Sequence, residues 1–377
     1  MRILILIYEF PPIGGGGGRA AHDICKGLVL CGHEVTVLTA HMQGLPFEEV
    51  QDGIRLVRIS SLRRETFGAS FITMLAYILA GLWAGLRLIH LDRPDIIHSH
   101  FAVPSGALAW MLSIITGIPY ILTAHLGDVP GGVPEKTGKW FSWIEPFTHP
   151  IWKRAKKVIA VSEHTRQLAL KHYPVNVQVV HNGADVKHLA PSKIKVNTPP
   201  RLVFAGRFVP QKNPLAIIQT LSQLKDLDWH CSMLGDGPLF EDVKREIEKM
   251  GMSERFDLPG WVTPDFVLKC FSKSDILFMP SLSEGLPVVG VQALATGLAI
   301  VASAIGGFLD LVDDEKNGYL IDVQDIPAFS NALRGLISDP EALLRFRKAS
   351  IEKSHEFDIQ KIVDQYQSIL REVVNGH

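Results

Sequence analysis

Short runs of apolar residues alternate along the chain with longer stretches whose apolar positions recur every three or four residues. Met1 to Ile7 is one such run. Ala20, Ala21, Ile24, Cys25 and Leu28 then repeat at helical spacing until Gly32, and Glu34 to Ala40 forms a second run. Strand, helix and strand in that order predict a βαβ unit. The alternation continues through IRLVRIS, DIIHSH, YILTA, KVIAVS and VQVVHN. Strands that are apolar throughout are buried on both faces, which predicts a mostly parallel sheet covered by helices. Periodicity lapses in APSKIKVNTPP, from Ala190 to Pro200, and a second α/β series follows with RLVFAG, WHCSML, ILFMPS, AIVAS and GYLI. The pattern therefore predicts a domain over residues 1–189, a linker at 190–200 and a second domain from 201 to 357. Two doubly wound domains in tandem predict a cleft between them, with ligands at the carboxyl ends of the strands.

Length agrees with that division, because 377 residues exceed what one core usually serves. With 47% hydrophobic and 20% charged residues and a net charge of -1, neither a disordered chain nor a nucleic-acid partner is expected. The four cysteines form no C-x-x-C pair, which predicts free thiols in a reducing, cytoplasmic setting. Because Met1 to Ile7 already has the character of a core strand, no signal peptide is expected ahead of it. One segment departs from the soluble pattern. Thr66 to Leu86 carries no charge over 21 residues, enough to span a bilayer, although Gly68, Ser70, Thr73, Gly81 and Gly85 dilute it. A packed helix and an interfacial helix both remain open; in the second case Arg55, Arg58, Arg63 and Arg64 would meet anionic lipid on the inner face of a membrane.

The candidate chemistry begins at the end of the first strand, where Gly14 to Gly18 are five glycines in a row. A dinucleotide site would also need an acidic residue after the second strand to hold the ribose, and LTAHMQ has none. What remains is a loop whose backbone N–H groups can approach a phosphate or sugar at a helix start. In the second half, FAGRFVPQKNP places Arg207 and Lys212 on one loop beside Gly206, so that both cations can reach one anionic group. Further on, Glu284 stands at a strand-to-helix junction and Gln292 eight residues later. Helical geometry would put the two about two turns apart on nearly one face, along one elongated ligand.

Taken together, FPPIGGGGGRA, TAHLGD, VVHNGAD, the Arg207–Lys212 loop and the Glu284 segment resemble the GT4 family of retaining glycosyltransferases. The resemblance runs in family order over nearly the whole chain. It implies the GT-B fold, two Rossmann-like domains facing a cleft, with a C-terminal helix (358–377) crossing back onto the acceptor-side first domain. By the same resemblance the second domain binds a nucleotide-diphosphate-sugar donor, a UDP-sugar by family frequency. Arg207 and Lys212 match the diphosphate clamp, Gly15 and Gly16 the glycines near the donor phosphate, and Glu284 the acidic residue holding the donor sugar. Leu286 falls in the same donor-binding stretch. His125 matches the histidine beside the transferred sugar, and Asp128 belongs to the acceptor side. The family's second glutamate, which binds the ribose hydroxyls, is replaced here by Gln292.

The implied reaction is transfer of a hexosyl group to a glycan, lipid-linked or small-molecule acceptor, with retained configuration and neither metal nor cofactor. Fixed cations can offset the charge that builds on a leaving diphosphate. Asp226 and Asp228 lie in a polar turn, and His98 and His100 lack a third ligand at metal spacing. Whether His125 acts as a base or only donates a hydrogen bond stays open, as does a base role for Asp128. Two alternatives share the architecture, a nucleotide-sugar epimerase and a non-catalytic nucleotide-sugar-binding protein.

Overall fold

The computed structural model describes residues 1–65, 68, 70–133 and 141–376. Thr66, Phe67 and Ala69 of the uncharged segment lie outside them. The chain forms two compact units, Met1–Gly183 with Ile359–His377, and Ala184–Asp358.

The first unit is built on eight strands: β1 (Arg2–Leu6), β2 (Glu34–Ala40), β3 (Glu48–Gln51), β4 (Ile54–Ile59), β5 (Ile96–His100), β6 (Tyr120–Ala124), β7 (Lys157–Ala160) and β8 (Val177–Val179). They lie side by side in the order β3-β4-β2-β1-β5-β6-β7-β8. All pairs are parallel except β3 with β4. Alternation of side chains along β1 divides its residues between two cores. Ile3 and Ile5 pack with Ala21, Ile24 and Leu28 of the helix Gly16–Leu30, and with Ile362, Tyr366 and Leu370 of the C-terminal helix Ile359–Asn375. Leu4 and Leu6 pack on the opposite face with Tyr77, Leu108 and Leu112.

The uncharged segment becomes the helix Phe71–Asp92, started by Ser70, whose hydroxyl accepts the Thr73 N–H. Its glycines have a packing role, because a Cβ at Gly81 would stand 2.5 Å from Leu108 and one at Gly85 2.7 Å from Leu112. They let the helix settle against its neighbour Ala107–Thr116. The outer face keeps Phe71, Ile72, Leu75, Leu79 and Trp83 exposed. The basic stretch before it is otherwise engaged than expected. Arg58 is buried against Glu49, Arg63 is buried with its guanidinium 2.9 Å from Glu9, and Arg55 pairs with Asp92 at 2.9 Å. Arg64 is exposed, and with Arg55, Arg58 and Arg63 held by carboxylates the four do not form a basic patch among the described residues.

The second unit has six strands, β9 (Arg201–Ala205), β10 (His230–Leu234), β11 (Phe256–Gly260), β12 (Ile276–Met279), β13 (Ala299–Ser303) and β14 (Gly318–Ile321). Their order is β11-β10-β9-β12-β13-β14, and every pair is parallel. Residues 190–200, expected to link the domains, belong to this unit, and the division falls at Gly183 instead. Buried Asp275 is the physical reason. It pairs with Arg347 and accepts the N–H groups of Asn197 and Arg201, while Arg347 also donates to the Lys195 carbonyl at 2.7 Å.

Each sheet has one place where the chain reverses its direction of strand addition, between β1 and β5 in the first and between β9 and β12 in the second. Loops leaving the carboxyl ends of these strands diverge and leave room for a ligand.

Candidate active site

In the first unit the loop after β1 carries the glycines, and packing accounts for three of them. A Cβ at Gly14 would lie 2.5 Å from Glu9 Cβ, one at Gly17 2.7 Å from Phe101 Cζ, and one at Gly18 2.5 Å from the Glu9 carbonyl oxygen. Gly15 has open space where a side chain would stand, and it and Gly16 are exposed at the start of the helix Gly16–Leu30. Gly15 is the N-cap and makes no side-chain cap bond. The N–H groups of that first turn and the positive end of the helix are thus suited to an anion or a polar ligand.

His125 follows β6. Phe101, which follows β5, stacks on its imidazole with ring centroids 4.2 Å apart. His125 Nε2 is buried without a hydrogen-bond partner, and burial lowers the imidazole pKa to about 4, so the ring is neutral at physiological pH. Asp128 is buried beneath it. One carboxylate oxygen accepts the His125 N–H and the other the Ala102 N–H, each at 2.8 Å. Burial pushes its carboxyl up to about 7, against the backbone N–H groups of His125, Ala102 and Val103. With both oxygens turned to backbone, Asp128 ties the β5 and β6 loops together. His98 and His100 are buried behind this pair. His98 Nε2 meets Thr123 Oγ1 at 2.8 Å, while both nitrogens of His100 lack partners. Burial lowers His98 to about 3 and His100 well below the usual histidine value.

In the second unit adjacent strands β9 and β12 deliver the two charged loops. Lys212 Nζ lies 2.6 Å from Glu284 Oε1, with the glutamate buried and the lysine side chain running past Gly206. Gln211 reinforces the junction, donating to the Ser283 carbonyl at 3.0 Å and accepting from the Leu282 N–H at 2.8 Å. Arg207 leaves the same loop directly after Gly206. Leu286 is buried beside Glu284. Gln292 is half-buried in the helix Val288–Ala295, which begins only after Pro287. Glu284 is therefore in the loop ahead of that helix, and helical spacing does not relate it to Gln292.

Two further loops complete this end of the sheet. Gly235 and Gly237, after β10, lie against the backbone of Gly206 and Phe208, where a Cβ would stand 2.0 and 2.7 Å from the carbonyl oxygens. Gly306, after β13, leaves no room for a Cβ against the Glu284 carbonyl, 1.8 Å away. Glycines directly after strands are the sequence signal for such contacts. Asp226, one of the two turn carboxylates, is held by Arg334. Among the described residues no three His, Cys, Asp or Glu side chains come together as a metal-binding group.

Two loops at the reversal point of the second sheet thus bring a lysine onto a buried glutamate. Comparison with known proteins specifies the class. Residues 186–353 match the family model "Glycosyl transferases group 1", and residues 15–183 match the "Glycosyl transferase 4-like domain". The chain belongs to the group 1 glycosyltransferases. This glycosyltransferase is 26% identical over 76% of its length to the Escherichia coli UDP-Gal:alpha-D-GlcNAc-diphosphoundecaprenol alpha-1,3-galactosyltransferase, covering 78% of that protein. In structure it resembles the sucrose-phosphate synthase of Thermosynechococcus elongatus, with a TM-score of 0.87, 17% identity and complete coverage of both chains. It also resembles Anabaena HepE, solved in complex with UDP, with a TM-score of 0.79, 18% identity and coverage of 99% and 100%. The fold of the glycosyltransferase is GT-B.

Proposed function

We propose that this glycosyltransferase moves a hexosyl group from a UDP-sugar to an acceptor hydroxyl on a glycan, a lipid-linked sugar or a small molecule, with retention and without a metal. The ion pair of Lys212 with buried Glu284 at the reversal point of the second sheet carries the proposal. The UDP bound by HepE and the UDP-galactose in the name of the Escherichia coli relative support the choice of donor.

In this proposal Arg207 and Lys212 neutralise the diphosphate, Glu284 holds the sugar hydroxyls, and Gln292 meets the ribose beside Leu286. As the glycosidic bond breaks, positive charge grows on the sugar and negative charge on the leaving oxygen. Cations fixed at that oxygen lower the barrier, each by roughly 3 kcal/mol. The acceptor oxygen bonds to the same face of the sugar carbon, and its proton passes to the departing phosphate oxygen. Gly15 and Gly16 offer backbone N–H groups to the donor. Neutral His125 hydrogen-bonds the sugar, and Asp128 serves by holding the His125 backbone.

We further propose a cytoplasmic enzyme that meets the inner face of a membrane through Phe71, Ile72, Leu75, Leu79 and Trp83. An epimerase or a binding protein of the same fold would be separated by products. The test is a thermal-shift panel with UDP, GDP, ADP and dTDP, followed by turnover of the matching donor sugars with and without EDTA. UDP should give the largest shift and turnover should survive the chelator; loss of turnover that Mg²⁺ or Mn²⁺ restores would overturn the metal-free mechanism.

A further inference from the structure

Phe101 adopts φ 71 and ψ 135. A bulky residue at positive φ is a steric outlier, and such strain persists only where the surroundings over-determine it. Here the backbone is held on both sides. The Phe101 N–H donates to the Thr123 carbonyl at 3.0 Å, and its own carbonyl accepts the Gly106 N–H at 2.9 Å. The strained backbone turns the phenyl ring onto His125, with ring planes 23° apart. The ring also fills the space above Gly17, where a Cβ would meet Phe101 Cζ at 2.7 Å and His125 Nδ1 at 3.3 Å. Gly17 at the helix start, the phenyl ring and the imidazole are therefore one packed stack. Its imidazole keeps a buried nitrogen, Nε2, without a partner. An unpartnered buried polar atom is costly, so a ligand hydroxyl that satisfies it binds with advantage.

We propose that Phe101 is a positioning residue, whose strained backbone holds its ring flat against His125 and fixes the imidazole in the one orientation that leaves Nε2 for a sugar hydroxyl. The missing side chain at Gly17 is the condition for that stack. The proposal rests on the role given to His125 above. A ring that only filled space could be replaced by an aliphatic side chain of similar volume; a ring that orients a second ring could not.

The test compares Phe101→Gly, Phe101→Leu, Phe101→Tyr and Gly17→Ala in the full chain. Turnover of the donor sugar is read together with the NMR resonances of the His125 ring. Phe101→Gly and Phe101→Leu should lower kcat about tenfold or more, with KM for the donor within about twofold, while Phe101→Tyr keeps most of the rate. Gly17→Ala should lower kcat similarly, although alanine is the better helix former. In the wild type the stacked phenyl should give one ring-shifted set of His125 resonances, and in Phe101→Gly that shift should vanish. Wild-type kcat in Phe101→Leu, or unchanged His125 resonances in Phe101→Gly, would overturn the proposal. The NMR comparison needs no turnover, so it stands apart from failure of the proposed reaction.

Discussion

Acid should loosen the first unit well before it reaches the ordinary carboxylate range. His98, His100 and His125 are buried and neutral, with His98 lowered to about 3, His125 to about 4, and His100 well below its usual value. In the unfolded chain each takes up a proton near pH 6.5. The folded unit excludes those protons, so stability is lost as pH falls below that point. Each excluded proton costs ~1.4 kcal/mol per pH unit. Asp128 acts in the opposite sense. With its carboxyl at about 7, the folded unit holds one proton that the unfolded chain does not bind until pH is near 4. Three protons excluded and one retained leave a net two, so that the unit loses on the order of 5 kcal/mol between pH 6.5 and 4.5. That is comparable to the whole stability of a marginal domain. Hydrogen exchange of the β5 and β6 amides, corrected for the intrinsic pH dependence, reads the stability of this unit directly. His100→Leu removes one titrating group whose nitrogens have no partners, and should flatten the slope by about half. Protection that stays constant from pH 6.5 to 5, or a slope that His100→Leu leaves unchanged, would refute the argument.

Replacing Arg207 or Lys212 by alanine should lower kcat by about two orders of magnitude. Lys212→Ala should also lower the thermal midpoint, because it leaves Glu284 buried without its cation; initial rates and calorimetric scans check both. Gln292→Glu should tighten UDP up to about tenfold and sharpen the preference over dTDP, since a carboxylate can accept from both ribose hydroxyls where an amide offers one acceptor oxygen. Calorimetric titration of both nucleotides decides it, and an unchanged ratio would remove Gln292 from the ribose. Liposome sedimentation should show binding that survives added salt and is lost in Leu79→Glu or Trp83→Glu, because the arginines before the helix are committed within the fold.

Strands buried on both faces were legible where burial leaves an apolar run, as in β1 and β12. Two strands lacked that signal. In β3 (Glu48–Gln51) the residues are mostly exposed at the sheet edge, and in β11 (Phe256–Gly260) burial alternates. Loss of periodicity at 190–200 resembled a linker, but Asp275 and Arg347, distant in sequence, hold that tract in the second unit. Charge alone suggested a surface role for Arg58 and Arg63, whereas their partners Glu49 and Glu9 let them be buried. In each unit the candidate residues were visible as residue types at strand ends. The contact of Lys212 with Glu284 was not, because it depends on β9 and β12 being neighbours. Phe101 had no sequence signal at all, since a positive φ at phenylalanine is imposed by the hydrogen bonds around it.

In the proposed mechanism a clamp of fixed cations supports sugar transfer with retention. Proton NMR of the transfer product decides it, using the UDP-α-sugar and acceptor that turn over fastest and reading the coupling constant of the new glycosidic anomeric proton. An α-configured product is expected, formed with the chelator present and at a rate that collapses in Lys212→Ala. A β-configured product, or an undiminished rate in Lys212→Ala, would overturn the mechanism.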